Sequence, residues 1–196
     1  MARTSSAKRQ AIDTAIHLFR SQGYAATGLS QLLEESGAPK GSFYFHFPGG
    51  KEQLALEALS AYGSKVSGGM RDCRDTYAGD PEGFIRAVFA ASSADLVRSD
   101  FTAGCVATNL GCELGRDDPA IANAVRKIFN EWGAIVADGV SAAIPDPQQA
   151  KRFGLSMIGA INGSRSLGCV FRSTDPLATT CELYIAQLQA LHSTCD

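Results

Sequence analysis

Basic, hydroxyl and aromatic side chains are concentrated at residues 40–46, KGSFYFH, and a lysine follows at position 51. A lysine such as Lys40 can donate to guanine O6 or N7, and an aromatic ring can contact a thymine methyl group. Phenol, imidazole and ammonium groups can donate hydrogen bonds to phosphate. Gly41 lets the backbone approach a ligand closely. The stretch therefore predicts contact with a DNA groove.

Three short helical segments are predicted to position these side chains. Leu29, Leu32 and Leu33 fall at i, i+3 and i+4, which gives one apolar stripe, and Gly37 ends that helix in a residue that tolerates positive φ. In the next segment Phe43 and Phe47 act as apolar anchors, so the basic face points outward. A third helix begins near residue 51. This arrangement is typical of a helix-turn-helix.

The segment also resembles the N-terminal signature of the tetracycline-repressor (TetR) family of transcriptional regulators. The matching residues are Gly23, Thr27, Gly37, Gly41, Tyr44, His46, Phe47, Lys51 and Leu54. One additional residue precedes the lysine, in PGGK at 48–51, and FPGGKEQLALEAL looks like the branch that includes the LmrA and YxaF regulators. The resemblance covers about residues 8–60. The sequence departs from the family pattern at two positions. Pro39 stands where a Ser or Thr cap is usual, and Phe43 stands where Leu is common.

The predicted DNA contacts fall into three groups. The resemblance implies that Tyr44, His46 and Lys51 touch the DNA backbone, although Tyr44 and His46 also fit a solvated helix end. Base readout is assigned to residues at the front of the second short helix, namely Lys40, Gly41, Ser42 and Phe45. The third group consists of Thr27, Ser30 and Gln31. These residues are predicted to add contacts to the DNA backbone. Alternatively, Thr27 is a helix cap, and Ser30 and Gln31 are solvated polar residues.

Asp-Pro pairs at positions 80, 118, 146 and 175 mark four further helix starts, because Asp accepts hydrogen bonds from free amides while Pro fills the first helical position. Helical periodicity follows each pair. With a first helix at about 6–21, a long one from 51 into the 70s and a short one near 106–114, the fold class is all-α with about nine helices. We expect a DNA-binding domain at 1–50 and a larger ligand-binding and dimerisation domain at 51–196.

Composition limits the other classes of function. The net charge of −2 is uneven: residues 1–51 hold six Lys or Arg and three Asp or Glu, a balance of +3, which leaves −5 for the rest. The basic excess lies with the predicted DNA-binding segment. No uninterrupted apolar run is long enough to span a membrane, and a cytoplasmic location is expected. Six cysteines without a C-x-x-C pair predict no metal site and reduced, mostly buried thiols, with a redox-sensing role for one of them as the alternative.

The larger domain is predicted to bind a ligand and a second copy of the chain. The run Gly154, Gly159, Ala160, Gly163, Ser164 and Gly168 permits close helix approach, either across a dimer with Leu183, Leu188 and Leu191 or within one subunit. Candidate ligand contacts, all of which also fit an ordinary core, are Phe89, Asn109, Glu113, Phe129, Trp132, Met157, Asn162 and Arg165.

The resemblance and these residues together predict a ligand-responsive regulator without a cofactor. Its expected form is a homodimeric repressor that binds a near-palindromic double-stranded operator and is released by a small aromatic or drug-like inducer. Enzymatic function is not expected, because Gly50-Lys51 is followed by Glu52 and no G-x-S-x-G motif occurs. The alternative is a helical small-molecule-binding protein that lacks DNA-binding activity.

Overall fold

The computed structural model describes residues 2–192. Within them the chain forms nine α-helices and no strand, which confirms the all-α prediction. The helices are α1 (Ala2–Ser21), α2 (Leu29–Ser36), α3 (Lys40–His46), α4 (Gly50–Thr76), α5 (Pro81–Arg98), α6 (Val106–Leu114), α7 (Pro119–Gly139), α8 (Pro147–Phe171) and α9 (Asp175–His192).

Three of the four Asp-Pro pairs begin a helix in the way the sequence predicts. The carboxylates of Asp80, Asp118 and Asp146 accept hydrogen bonds from amides in the first turns of α5, α7 and α8. The fourth prediction is wrong in detail, since Asp175 is itself the first residue of α9. The hydroxyl of Ser173 accepts from the amide of Asp175 instead, at 3.0 Å. The chain therefore turns into α9 one residue earlier than a capping aspartate would require.

The helices pack into two units that do not follow the division at residue 50. The first unit contains the chain up to residue 64 together with residues 105–126. Helix α6 and the start of α7 thus pack with the N-terminal helices, around buried Phe19, Phe43, Phe47 and Leu54. The assignment of DNA binding to 1–50 and ligand binding to 51–196 remains a prediction about function.

The second unit comprises residues 65–104 and the chain from residue 127 onward. Its core is formed where α5, α8 and α9 pack together, with Phe84, Leu96, Phe153 and Leu188 buried. A side chain at Gly154 would collide with the backbone of α7 at residue 133, so this glycine permits a close crossing of the two helices. The hydroxyls of Ser164 and Thr180 lie 2.6 Å apart and join α8 to α9.

The cysteines in the described part of the chain carry no disulfide. Cys105 and Cys181 are buried, Cys73 and Cys169 are half-buried, and Cys112 is exposed, whereas position 195 lies outside the described residues. Burial raises the pKa of both the Cys73 and the Cys181 thiols. No helix in residues 2–192 has the length and apolar character needed to cross a membrane.

Candidate nucleic-acid interface

Helix α3 has one buried face and one exposed face, as its sequence predicts. Phe43 and Phe47 are 1% and 0% exposed and pack against each other with ring centroids 5.1 Å apart. On the opposite face Phe45 is 75% exposed and Tyr44 is 43% exposed. Helix α3 thus presents two aromatic rings outward. The remaining predicted contacts on this helix are exposed or half-exposed and comprise Lys40, Gly41, Ser42 and His46.

A helix of seven residues needs external support, because most of its stability comes from tertiary packing. Gln53 in the first turns of α4 donates from Nε2 to the carbonyl of His46 at 3.4 Å and accepts from the amide of Gly49 at 3.0 Å. This amide side chain holds the turn between α3 and α4. The Nε2 atom of His46 is buried and has no hydrogen-bond partner among residues 2–192.

Of the third predicted group, Ser30 and Gln31 are accessible at the start of α2, whereas Thr27 is buried. Ser30 is exposed, and Gln31 exchanges hydrogen bonds with Gln22 and donates to Glu35. Thr27 is 0% exposed, and its hydroxyl donates to the carbonyl of Gly23 at 2.6 Å. The N-cap of α2 is Gly28, so the prediction that Thr27 caps this helix is wrong. Thr27 shapes the turn between α1 and α2.

Lys51 also turns toward the α1–α2 turn. Its ammonium group donates to the carbonyl of Tyr24 at 2.6 Å and lies 3.8 Å from the centroid of the Tyr24 ring. Burial lowers the pKa of Lys51, while the nearby carboxylate of Glu113 opposes that shift. Such contacts stabilise the ammonium through a carbonyl dipole and a ring face. Lys51 therefore fixes local structure in this conformation, and its contact with DNA remains a prediction.

Two of the predicted ligand contacts, Asn109 and Glu113, lie on α6 and bind main-chain groups of the same unit. Asn109 donates from Nδ2 to the carbonyl of Phe19 at 2.8 Å. The carboxylate of Glu113 accepts hydrogen bonds from the amides of Tyr24 and Ala25 at 3.0 and 2.6 Å. Both side chains thus satisfy backbone groups at the end of α1. Their predicted ligand role is untested.

The other six ligand candidates lie in the second unit. Phe89, Trp132 and Met157 are buried, whereas Phe129 is half-exposed and meets Trp132 edge-on at 5.6 Å. Asn162 donates to the carbonyl of Ile158, within its own helix, at 2.9 Å. The structure therefore separates this set of six from Asn109 and Glu113, which the sequence analysis had grouped with them.

Arg165 is the buried cation of the second unit. Its guanidinium donates to the carboxylate of Asp95, the carbonyl of Ala103, and both the carbonyl and the hydroxyl of Ser92, at distances of 2.9 to 3.1 Å. Its Nε atom has no hydrogen-bond partner in the described part of the chain. These contacts join α8 to the end of α5 and to the segment that follows it. The planar fork of arginine suits such a multiple contact.

Comparison with known proteins identifies the fold and the family. Residues 11–58 match the family model described as bacterial regulatory proteins, tetR family. Residues 81–182 match the model of the LmrA/YxaF-like transcriptional regulator C-terminal domain, which covers more than half of the chain. The chain belongs to the TetR family of transcriptional regulators. The predicted family and branch are thereby confirmed.

Relatives of known sequence and structure agree with this assignment. The HTH-type transcriptional regulator LmrA of Bacillus subtilis is 30% identical over 170 residues, which cover 87% of this chain and 90% of that protein. YxaF, an uncharacterised HTH-type transcriptional regulator of the same organism, is 29% identical over 182 residues, or 93% of this chain and 95% of that protein. A TetR transcriptional regulator from Chloroflexus aurantiacus superposes with a TM-score of 0.79 at 25% identity, covering 96% of this chain and 97% of that one.

Membership of the TetR family establishes a transcriptional regulator with DNA-binding and ligand-binding domains. The family and these relatives are regulators and not enzymes, in agreement with the sequence analysis. TetR-family regulators typically act as dimers with small-molecule ligands.

Several residues that position the interface were not found from the sequence. Tyr24 joins Lys51 and Glu113, and Gln53 fastens the α3–α4 turn, yet none of these contacts has a local sequence signal. Glu113 lies 88 to 89 residues from the amides that it binds. Gly23 was a clue, because a glycine just past the end of a helix often marks a backbone conformation that other residues avoid.

Proposed function

We propose that this TetR-family regulator is a dimeric repressor that binds a near-palindromic operator and is released by a small aromatic inducer. The observation that carries the proposal is the outward face of α3. Phe45 and Tyr44 project from it beside Lys40, while Phe43 and Phe47 fix the helix from behind. An exposed pair of rings on a helix with a basic start suits a major groove, where methyl groups and phosphates are both within reach.

The residues of this face divide between bases and backbone. Lys40 and Phe45 are proposed to reach base edges, together with Gly41 and Ser42, which lie between them in the sequence. Tyr44 donates its phenol to a phosphate, and the half-exposed imidazole of His46 lies beside it at the end of α3. Ser30 adds a hydroxyl from α2. Thr27 and Lys51 support the turn behind α2.

The dimer is proposed to form through an exposed apolar surface, here called the α8–α9 face. Its members on α8 fall at intervals of three or four residues, so they share one side of the helix. They are exposed, uncharged and interrupted by two glycines where an added Cβ would meet nothing. The α8–α9 face consists of Leu155, Gly159, Gly163, Leu167 and Val170 on α8 with Thr179, Leu183 and Ala186 on α9.

Only part of the small-residue run is free to serve this face. A side chain at Gly168 would meet Leu96 of α5, and Gly154 faces α7, so these two glycines serve packing inside the protomer. Leu188 is also buried within its own protomer. The outward glycines let a second α8 approach closely, while Leu183 on the neighbouring helix adds apolar area. Such a pair of helices from each copy forms a four-helix interface about a two-fold axis.

Two copies joined in this way are proposed to bind two half-sites of one duplex, each through its own α3. Half-sites about 34 Å apart, one turn of DNA, match such a dimer, and the two-fold symmetry requires a near-palindromic operator. The inducer is proposed to contact the apolar interior of the second unit, where Phe89, Trp132 and Met157 offer aromatic and flexible surfaces. It lowers operator affinity by binding better to the conformation that binds DNA less well.

The proposal is tested by selecting duplexes from a random library with the full-length protein and measuring their affinity at several salt concentrations. We expect a near-palindromic consensus, one dimer bound per duplex by sedimentation, and an affinity that falls steeply with salt. A monomer bound to a single half-site would overturn the dimer. Recovery of no consensus, with binding no stronger than to random DNA, would overturn operator recognition.

A further inference from the structure

We propose that Glu113 is a positioning residue for DNA reading, which acts by holding the turn between α1 and α2. This proposal rests on the DNA-binding function given above. The two carboxylate oxygens accept separate hydrogen bonds, Oε1 from the amide of Tyr24 at 3.0 Å and Oε2 from the amide of Ala25 at 2.6 Å. Two consecutive amides that point at one carboxylate form a small anion-binding nest. The nest belongs to the turn that leads into α2, and its anion comes from α6.

Gly23 makes this nest possible in two independent ways. Its φ of +82° lies in the left-handed region that side chains disfavour, and this conformation directs the following two amides to the same side. A Cβ at Gly23 would also lie 2.5 Å from Oε1 of Glu113, so the carboxylate would have to move away. The glycine therefore serves both the bend of the chain and the access of the carboxylate.

Two carbonyl groups of the same turn are also bound by side chains of the first unit. The carbonyl of Tyr24 accepts from Lys51, and the carbonyl of Gly23 accepts from the hydroxyl of Thr27. Asn109, one turn before Glu113 on α6, donates to the carbonyl of Phe19 in the last turn of α1. Helix α6 thus binds acceptor and donor groups at the same helix end. The direction in which α2 and α3 leave α1 depends on this contact.

The direction of the change in DNA affinity on replacing Glu113 distinguishes a positioning role from a purely electrostatic effect of its charge. Glu113 is an exposed acid in the unit that binds a polyanion, so removal of its charge should tighten DNA binding if only long-range electrostatics mattered. Loss of the two hydrogen bonds should instead let the turn relax and weaken binding. The two explanations therefore predict opposite changes in the same measurement.

The test compares Glu113→Ala and Glu113→Gln with Asp117→Asn, which removes the same charge four residues away from a side chain that is highly exposed. Affinity for the selected duplex is measured against salt, with helicity and thermal unfolding as checks of folding. We expect Glu113→Ala to weaken binding about fivefold, equivalent to about 1 kcal/mol for a partly solvated charge-assisted contact, with the salt slope unchanged. Glu113→Gln keeps one acceptor and should lose about twofold, and Asp117→Asn should bind as tightly as wild type or slightly tighter.

Equal or tighter binding by a folded Glu113→Ala variant would overturn the positioning role. A second measurement does not depend on DNA: hydrogen exchange at the amides of Tyr24 and Ala25 should accelerate in Glu113→Ala, with the amides of α5 and α8 unaffected. Unchanged exchange at both amides would also overturn the proposal. Wild-type protein that selects no duplex would instead refute operator recognition, while the exchange result would still report on the Glu113 contact.

Gly23→Ala supplies a double-mutant cycle. Alone, it should weaken DNA binding, because the new Cβ displaces the carboxylate. In a Glu113→Ala background its additional effect should be smaller, since the collision is gone and only the strain of the φ angle remains. Strictly additive losses in the cycle would contradict the proposed link between the glycine and the carboxylate.

Discussion

The outward face of α3 and the α8–α9 face both expose large apolar side chains, but their neighbours differ. On α3, Phe45 and Tyr44 lie among lysine, serine and histidine. On α8, Leu167 and Val170 follow two outward glycines, and no charged residue occupies the positions that form the face. Rings beside a lysine and other polar side chains suit a polyanion with stacked bases, whereas uncharged aliphatic side chains beside glycine suit another helix. The surroundings of an exposed apolar residue, more than its exposure, indicate its partner.

The two surfaces also differ in how they are supported. Helix α8 has 25 residues, and its own hydrogen bonds maintain its face along most of the length. Helix α3 has seven residues and is held by Phe43 and Phe47 behind it and by Gln53 at its end. The outward face of α3 is therefore held in place by residues that lie behind the helix and at its end.

The largest expected effect separates the two sides of α3. Phe47→Ala should destabilise the N-terminal helices by about 3–5 kcal/mol, because it removes a fully buried ring. Phe45→Ala, two residues away, is the matched control: it should leave the unfolding free energy within about 0.5 kcal/mol and change DNA binding instead. Chemical denaturation followed by circular dichroism measures the first quantity, and selection of duplexes measures the second. Similar stability losses in both variants would refute the assignment of the two faces.

Disruption of the α8–α9 face should have the next largest effect. Leu183→Glu places a charge on a side chain that is 64% exposed in the protomer, so we expect folded monomer and a loss of operator affinity of about 100-fold. Val97→Glu introduces the same charge at an exposed valine of α5, outside the face, and should remain dimeric. Sedimentation velocity distinguishes the species. A Leu183→Glu protein that stays dimeric at micromolar concentration would move the interface elsewhere.

Tyr44 tests the reading surface without touching the core. Tyr44→Ala should weaken operator binding about tenfold, which corresponds to about 1.4 kcal/mol, while helicity and dimerisation stay unchanged. Tyr44→Phe removes only the hydroxyl and should lose most of the same affinity, because the phenol is proposed to donate to phosphate. Mobility-shift titrations at constant salt give the comparison. Full activity of the Phe variant would show that the ring, and not the hydroxyl, makes the contact.

The smallest expected effect concerns the start of the helix that bears the α8–α9 face. Asp146→Ala should destabilise the protein by about 1 kcal/mol, since the carboxylate accepts from the amide of Gln148 at the first turn of α8. Asp175→Ala should cost less, because Ser173 accepts from the amide of residue 175. Thermal unfolding of the two variants measures which one loses more stability. An equal loss would mean that Asp175 also caps its helix.

Local sequence signals predicted the helices well, and non-local contacts explain most of what they missed. The bounds of α6 and the left-handed Gly37 at the end of α2 follow from short-range patterns, and the structure reproduces both. The same is true of the inward Phe43 and Phe47. The predicted helix cap at Thr27 is wrong, because Gly28 occupies that position and the hydroxyl of Thr27 turns back to the carbonyl of Gly23.

The polar residues of α6 show why the candidate ligand site was harder to predict. Asn109 and Glu113 stand among apolar neighbours, a pattern that fits a pocket lining or a contact with distant backbone equally well. Their partners lie 88 to 90 residues earlier in the chain. Arg165 has partners 62 to 73 residues away, which a periodicity argument cannot supply. Only the folded chain shows which backbone groups these side chains satisfy.

The N-terminal unit is assembled from two stretches of chain, up to residue 64 and from 105 to 126. A truncated polypeptide that stopped at residue 64 would therefore lack the α6 side chains that bind the end of α1 and the turn after it. The amides of Tyr24 and Ala25 would then face water. A hybrid regulator made by grafting these reading helices onto a foreign sensor would inherit the same defect. To transplant the specificity intact, the graft must bring residues 105–126 with it.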